Sequence, residues 1–216
     1  MLILEDEPGQ RPRKPVRPSY PPVLIGLASA IVLASLVQFL APAEVEEWMY
    51  EAGAIIGGDR FEGVPRPFGV WGPLVLHLFL HGGILHLGFN IWALMSFGTV
   101  VARWTGPGVR GSVGFLAFFA FCGVGGGLAQ MAVFALDGEG GVAIGASSAI
   151  SGLLPALGWL QGGWRRAVGI SVPWLLINLA LAAFGAVSPI PIAWAAHLGG
   201  LAAGFMFPVF FAWGRA

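Results

Sequence analysis

The sequence predicts an all-α membrane protein, a six-transmembrane-helix bundle with a long, partly embedded outer loop between helices 1 and 2. Three observations lead there. Of 216 residues, 56% are apolar and only 10% are charged, where soluble domains carry about 25% charged residues; mean hydropathy is +0.79. Charge-free stretches are long enough for spans of roughly 20 residues, the length lipid demands because it cannot satisfy exposed backbone groups. The eleven basic and eleven acidic residues fall into alternating segments. Their balance gives zero net charge, which argues against overall attraction to nucleic acid, so no nucleic-acid partner is expected. The single cysteine, Cys122, excludes a disulfide framework or a cysteine-based zinc site.

Residues 1–22 form a basic, proline-rich arm, expected to be disordered, cytoplasmic and close to anionic lipid; residues 23–216 form the membrane domain. The first span is Val23 to Leu40. Its basic start and the following Ala41-Pro42-Ala43 imitate a cleavable signal peptide, but its apolar stretch exceeds the usual 7 to 15 residues. Pro67 to Ala102, Gly111 to Leu136 and Gly140 to Trp164 each lack charge and each hold one span. Ala167 to Gly214 holds two, divided by a turn at Ser188-Pro189-Ile190-Pro191.

Short cytoplasmic loops retain Lys and Arg. Arg11, Arg13, Lys14 and Arg17, then Arg103 and Arg110, then Arg165 and Arg166, then Arg215 mark one side. Glu44, Glu46, Glu47, Glu51, Asp59, Glu62, Asp137 and Glu139 mark the other. Both termini are therefore expected in the cytoplasm, in a cell membrane. Trp48, Tyr50, Phe68 and Trp71 suit an outer loop lying in the interface.

Polar side chains inside spans are costly enough to be functional candidates. All four histidines sit in or beside spans. His86 and Asn90, four apart, share a face near the outer end of the second span. His77 and His81 precede the Gly82-Gly83 interruption and belong to the outer loop, where they can satisfy backbone groups. Ser147, within Gly145-Ala146-Ser147, opens the fourth span, where free N–H groups and the helix dipole favour a developing oxyanion. On G-x-S alone, an N-cap or packing serine is the plainer reading. His197 lies about five residues, roughly 8 Å, below the outer boundary of the sixth span. Ala196, Gly200 and Gly204 make a small-xxx-small stripe beside it. Ser147, His197, His86 and Asn90 thus fall at one depth. No Asp or Glu occurs in any span, so serine chemistry there is expected to use a Ser-His dyad.

These residues resemble the rhomboid family of intramembrane serine proteases, whose core carries H-x4-H-x3-N, G-x-S and A-H-x2-G on its second, fourth and sixth helices. Here the three read His81 to Asn90, Gly145 to Ser147, and Ala196 to Gly200. The resemblance implies that Ser147 is the nucleophile and His197 the general base. It implies that His86, Asn90 and the Ser147 N–H stabilise the oxyanion, and that His81, Gly145 and Gly200 are structural. It further implies that transmembrane-helix proteins are cut near their outer ends, without metal or cofactor; the site is expected to open to the outer side, with the fifth span as a candidate lateral gate. Two departures stand out. Ser148 follows the nucleophile where glycine is usual, and Ser151 occupies a position where many members carry an aromatic packed on the base. The rival class is a rhomboid-like pseudoenzyme that binds transmembrane helices without cleaving them.

Overall fold

Residues 20–138, 140–185 and 193–212 are described by the computed structural model. The basic arm up to Ser19, Glu139, the Ser188–Pro191 turn and Arg215 lie outside the described residues. Helix α1 (Pro22–Leu40) starts on a proline, whose fixed φ suits the first helical position. Its buried face carries Leu24, Leu27, Ala28 and Ile31, then two polar residues, Ser35 and Gln38. Both grip the chain ahead of the next long helix. Gln38 exchanges a pair of bonds with the His81 backbone: Nε2 donates to its carbonyl and Oε1 accepts from its N–H, each at 2.9 Å. Ser35 Oγ donates to the Phe79 carbonyl at 3.2 Å and lies 2.9 Å from His81 Nδ1. Polar groups buried in an apolar bundle are thereby satisfied by one another.

The segment between α1 and the next long helix is more ordered than a loop reading suggests. It holds α2 (Ala43–Gly53), with Glu44 and Glu46 in the first turn, where carboxylates favour the dipole. It then forms β1 (Ile55–Gly57) and α3 (Pro73–Leu76), followed by a 3₁₀ turn over His77–Phe79. Strand β1 pairs antiparallel with β2 (Gly141–Ala143), Ile55 facing Ala143 and Gly57 facing Gly141. This ladder tethers the segment to the approach to Ser147. Three-residue strands are too short to show alternation, which is why the sequence does not announce them. His77 is buried. Its Nδ1 lies 2.8 Å from the Pro73 carbonyl and its Nε2 lies 3.0 Å from Ser148 Oγ. Its own carbonyl accepts from the Gly145 N–H at 2.8 Å.

Helix α4 (Ile84–Thr105) begins after Gly83, whose φ of 123° lies where side chains are strained. That residue separates His81 from the face of His86. Helix α5 (Gly108–Asp137) runs back across the bundle. Helix α6 (Ser147–Gly185) is helical by hydrogen bonds but breaks at Gly162 and Gly163, the latter with φ 66°. It is therefore two helical segments joined at these glycines. Helix α7 (Trp194–Gly204) and the short α8 (Phe207–Ala212) are the last described elements. Among the described residues four helices are long and apolar enough to cross a membrane: α1, α4, α5 and α6.

Helix α7 is seated between α5 and α6 with almost no side chains intervening. A Cβ on Gly126 of α5 would come within 2.5 Å of both the Ala196 carbonyl and Ser148 Cβ. One on Gly200 would collide with the Ser148 carbonyl, and one on Gly204 with the Gly152 backbone. The small-residue stripe is thus a three-backbone contact, the packing that drives helix association in lipid. The N-terminus of α7 has no side-chain cap of its own. Buried Gln130 of α5 supplies an acceptor instead, Oε1 taking the Ala196 N–H at 3.2 Å. Around this seam Leu24, Ile31, Leu94, Phe115, Phe118, Leu153 and Phe207 fill the core.

Two outcomes follow for stability. Gly200→Val forces side-chain atoms into the Ser148 backbone and should destabilise by at least the 1–3 kcal/mol typical of overpacking, read as a lowered thermal midpoint in detergent. Gly88→Ala, with open space around its Cβ, should leave the midpoint unchanged or raised. Burial holds His77 down to about 4 and, with His86 nearby, His81 down to about 3. Both are neutral when folded and take up protons near pH 6.5 when unfolded. Stability is full above about pH 6.5 and falls as pH drops from there towards about 4, by up to about 1.4 kcal/mol per pH unit for each ring. His77→Gln should flatten that slope in thermal melts taken from pH 8 to pH 5.

Candidate active site

The first turn of α6 and the first turn of α7 bring two side chains 50 positions apart in the chain into contact. His197 Nε2 lies 2.8 Å from Ser147 Oγ. Ser147 is the first residue of α6, where N–H groups lack intrahelical partners. Its position is set by the sharp approach through Gly145, at φ 116°. His197 is buried and sits four residues into α7, beside the glycine seam. On its other edge, His197 Nδ1 lies 2.7 Å from Oδ1 of Asn178, a fully buried residue on the second segment of α6.

His86 and Asn90 face the same space. The Gly82 N–H donates to His86 Nδ1 at 3.1 Å, so the ring proton resides on Nε2. A Cβ on Gly145 would lie 2.7 Å from His86 Cε1 and 2.8 Å from Nε2. Glycine there serves twice, for its positive φ and for the room it leaves the imidazole. Asn90 Nδ2 donates to the His86 carbonyl at 2.8 Å. Its second amide hydrogen is left for a ligand, and its Oδ1 is buried without a partner.

Together these groups line a cavity of about 920 Å³ that also exposes Tyr50, Ser151 and Trp174. Its remaining walls are apolar: Phe89, Trp92 and Phe97 of α4, Ile150 and Leu154 of the first segment of α6, and Ile170, Pro173 and Ile177 of the second. Phe89 and Trp92 are largely exposed on the outer surface of α4.

The residues singled out from sequence come together as follows. Ser147, His197, His86 and Asn90 line one cavity. His81 stands behind it, its ring 5.1 Å from that of His86 and its backbone clasped by Gln38. Gly145 and Gly200 provide close approach. Both departures from the family pattern acquire partners. Ser148 engages His77. Ser151 accepts from the Trp174 indole N–H at 2.9 Å, and the Trp174 ring lies 5.5 Å from His197. The aromatic missing from the first segment of α6 beside the base is thus contributed by its second segment. Asn178 was not among the sequence candidates. The spans do lack carboxylates, but a neutral amide accepts a hydrogen bond equally well, and an asparagine inside an apolar run was the available signal.

Known proteins match this arrangement in sequence. Residues 68–214 match the Rhomboid domain family. The chain is also 36% identical over 143 residues to a protein described as Rhomboid protease GluP from Bacillus subtilis (strain 168). That alignment covers 63% of this chain and 25% of the relative, so the chain spans about a quarter of that protein's length. The family match takes in more than half of the chain, including Ser147, His197, His86, Asn90 and the glycine seam that seats α7; the chain is an integral membrane protein and belongs to the rhomboid family.

Proposed function

We propose that this chain is an intramembrane serine endopeptidase that cleaves transmembrane segments of membrane proteins near their outer ends. The observation that carries the reading is the 2.8 Å contact between Ser147 Oγ and His197 Nε2 at the edge of an apolar-walled cavity. Ser147 Oγ attacks a substrate carbonyl while its proton passes to His197 Nε2. The resulting oxyanion is stabilised by the Ser147 N–H, the His86 Nε2–H and the free Asn90 amide hydrogen. Collapse breaks the C–N bond as Nε2 returns the proton to the leaving amine. Water, deprotonated by the same nitrogen, then releases the acyl group from Ser147.

The walls support the substrate class. Phe89 and Trp92 of α4 and Ile177 of α6 are exposed large apolar side chains that also border the cavity, a surface suited to a helix arriving from lipid. In this reading the chain makes six spans, because α6 is broken at Gly162 and Gly163 and α7 with α8 supplies the last crossing. The segment from α2 to the 3₁₀ turn is the partly embedded outer loop. The basic loops put both termini in the cytoplasm and the cavity on the outer side of a cell membrane. Residues 1–22 act as an arm apart from the catalytic domain of residues 23–216, and the reaction needs no nucleic acid, metal or cofactor.

Ser147→Ala should abolish cleavage of a reporter transmembrane helix in proteoliposomes while leaving the thermal midpoint nearly unchanged. A fluorophosphonate probe should label the wild type and not this variant. A wild type that binds the reporter helix without labelling or cutting would place the chain with the non-cleaving helix-binding members. Asn90→Ala should lower kcat by about 10² to 10³, the cost of one oxyanion donor.

A further inference from the structure

The base of a serine hydrolase must hold its proton on the far nitrogen so that the near one can accept from the hydroxyl. A carboxylate usually enforces this. Here the far nitrogen, Nδ1 of His197, meets Asn178 Oδ1 at 2.7 Å in a fully buried setting. The amide cannot turn its nitrogen towards the ring without losing a bond, because Asn178 Nδ2 donates to the Trp174 carbonyl at 2.8 Å, one helical turn earlier. Oxygen therefore faces His197, its Nδ1 carries the proton, and the Nε2 lone pair is directed at Ser147 Oγ.

The support continues beyond the pair. The Trp174 indole donates to Ser151 Oγ at 2.9 Å, and Ser151 Oγ donates to the Ser147 carbonyl at 2.7 Å. Hydrogen bonds thus run from Ser147 through His197, Asn178, Trp174 and Ser151 back to Ser147. The Trp174 ring, tilted 40° to the imidazole, restricts its rotation from one face. A buried asparagine serving only to join helices would not need its oxygen on the base.

We propose that Asn178 is the positioning residue for His197, a neutral third member that fixes the tautomer and orientation of the base from the second segment of α6. This rests on the proteolytic reading of Ser147 and His197. Because the acceptor is uncharged, it orients the imidazole without favouring the imidazolium as a carboxylate would.

The test uses the full chain in detergent and proteoliposomes. Asn178→Leu should slow fluorophosphonate labelling and reporter cleavage roughly 10- to 100-fold, the scale seen when an orienting partner of a functional histidine is lost. Asn178→Asp should retain more activity than Asn178→Leu. It should also move the acid limb of the labelling-rate profile upward by about one pH unit, because a neighbouring carboxylate favours the charged ring. That shift reports direct contact between position 178 and the imidazole, as the 2.7 Å approach requires. Labelling of Asn178→Leu at the wild-type rate, or an unmoved profile for Asn178→Asp, overturns the proposal; if Asn178→Leu does not fold, the Asn178→Asp profile decides. If the wild type neither labels nor cuts, the proteolytic reading fails instead. ¹⁵N spectra of histidine-labelled protein then still report whether His197 carries its proton on Nδ1 in the wild type and loses that preference in Asn178→Leu. An unchanged tautomer would refute the assignment.

Discussion

Backbone-to-backbone contact along α7 is the constraint on which the site depends. Ser147 and His197 belong to different helices, and a 2.8 Å approach between short side chains requires those helices to touch. Gly200 and Gly204 let α7 rest on the α6 backbone, while Gly126 lets α5 close on it from the other side. Lipid offers no hydrophobic drive for such association, so dispersion between close surfaces and a few buried hydrogen bonds must hold it. Gln130, reaching from α5 to the Ala196 N–H, fixes the height of α7 in this groove. The depth of the base follows from that single polar contact and the glycine spacing.

Polar residues elsewhere in the bundle serve the same end by indirect routes. Ser35 and Gln38 hold the His81 segment, and this presents Gly82 to His86. His77 joins α3 to Ser148 and, through its carbonyl, to Gly145. Each histidine that does not face the cavity thus braces a backbone that does. Among the described residues only His81 Nε2, Asn90 Oδ1 and Ser171 Oγ are buried without a partner, and Asn90 is the one of these residues that lines the cavity.

Much of this was legible in the sequence because the membrane imposes simple rules. Charge-free runs mark long helices, and polar side chains within them are costly enough to be functional candidates. His86, Asn90, Ser147 and His197 at one depth make a candidate site before any geometry. Asn178 is harder to read, because the third member beside a serine–histidine pair is usually a carboxylate. Trp174 escaped because its pairing with Ser151 joins positions 23 apart across two segments, and no local pattern encodes it. The β1–β2 ladder escaped because three residues cannot display a period. Local chemistry was readable, while compensation between distant positions needed the fold.

The break at Gly162 and Gly163 has a mechanical corollary. It divides α6 so that Ser147 stays with the α5–α7 seam, while Asn178 and Trp174 ride on a separate rod beyond the glycines. Asn178 is about 22 Å along that rod from Gly163 at 1.5 Å per residue. A tilt of about 5° at the glycines would swing the amide roughly 2 Å by lever-arm geometry, enough to exceed hydrogen-bond range. In the proposed mechanism, alignment of the imidazole would then be lost for as long as the rod stays tilted.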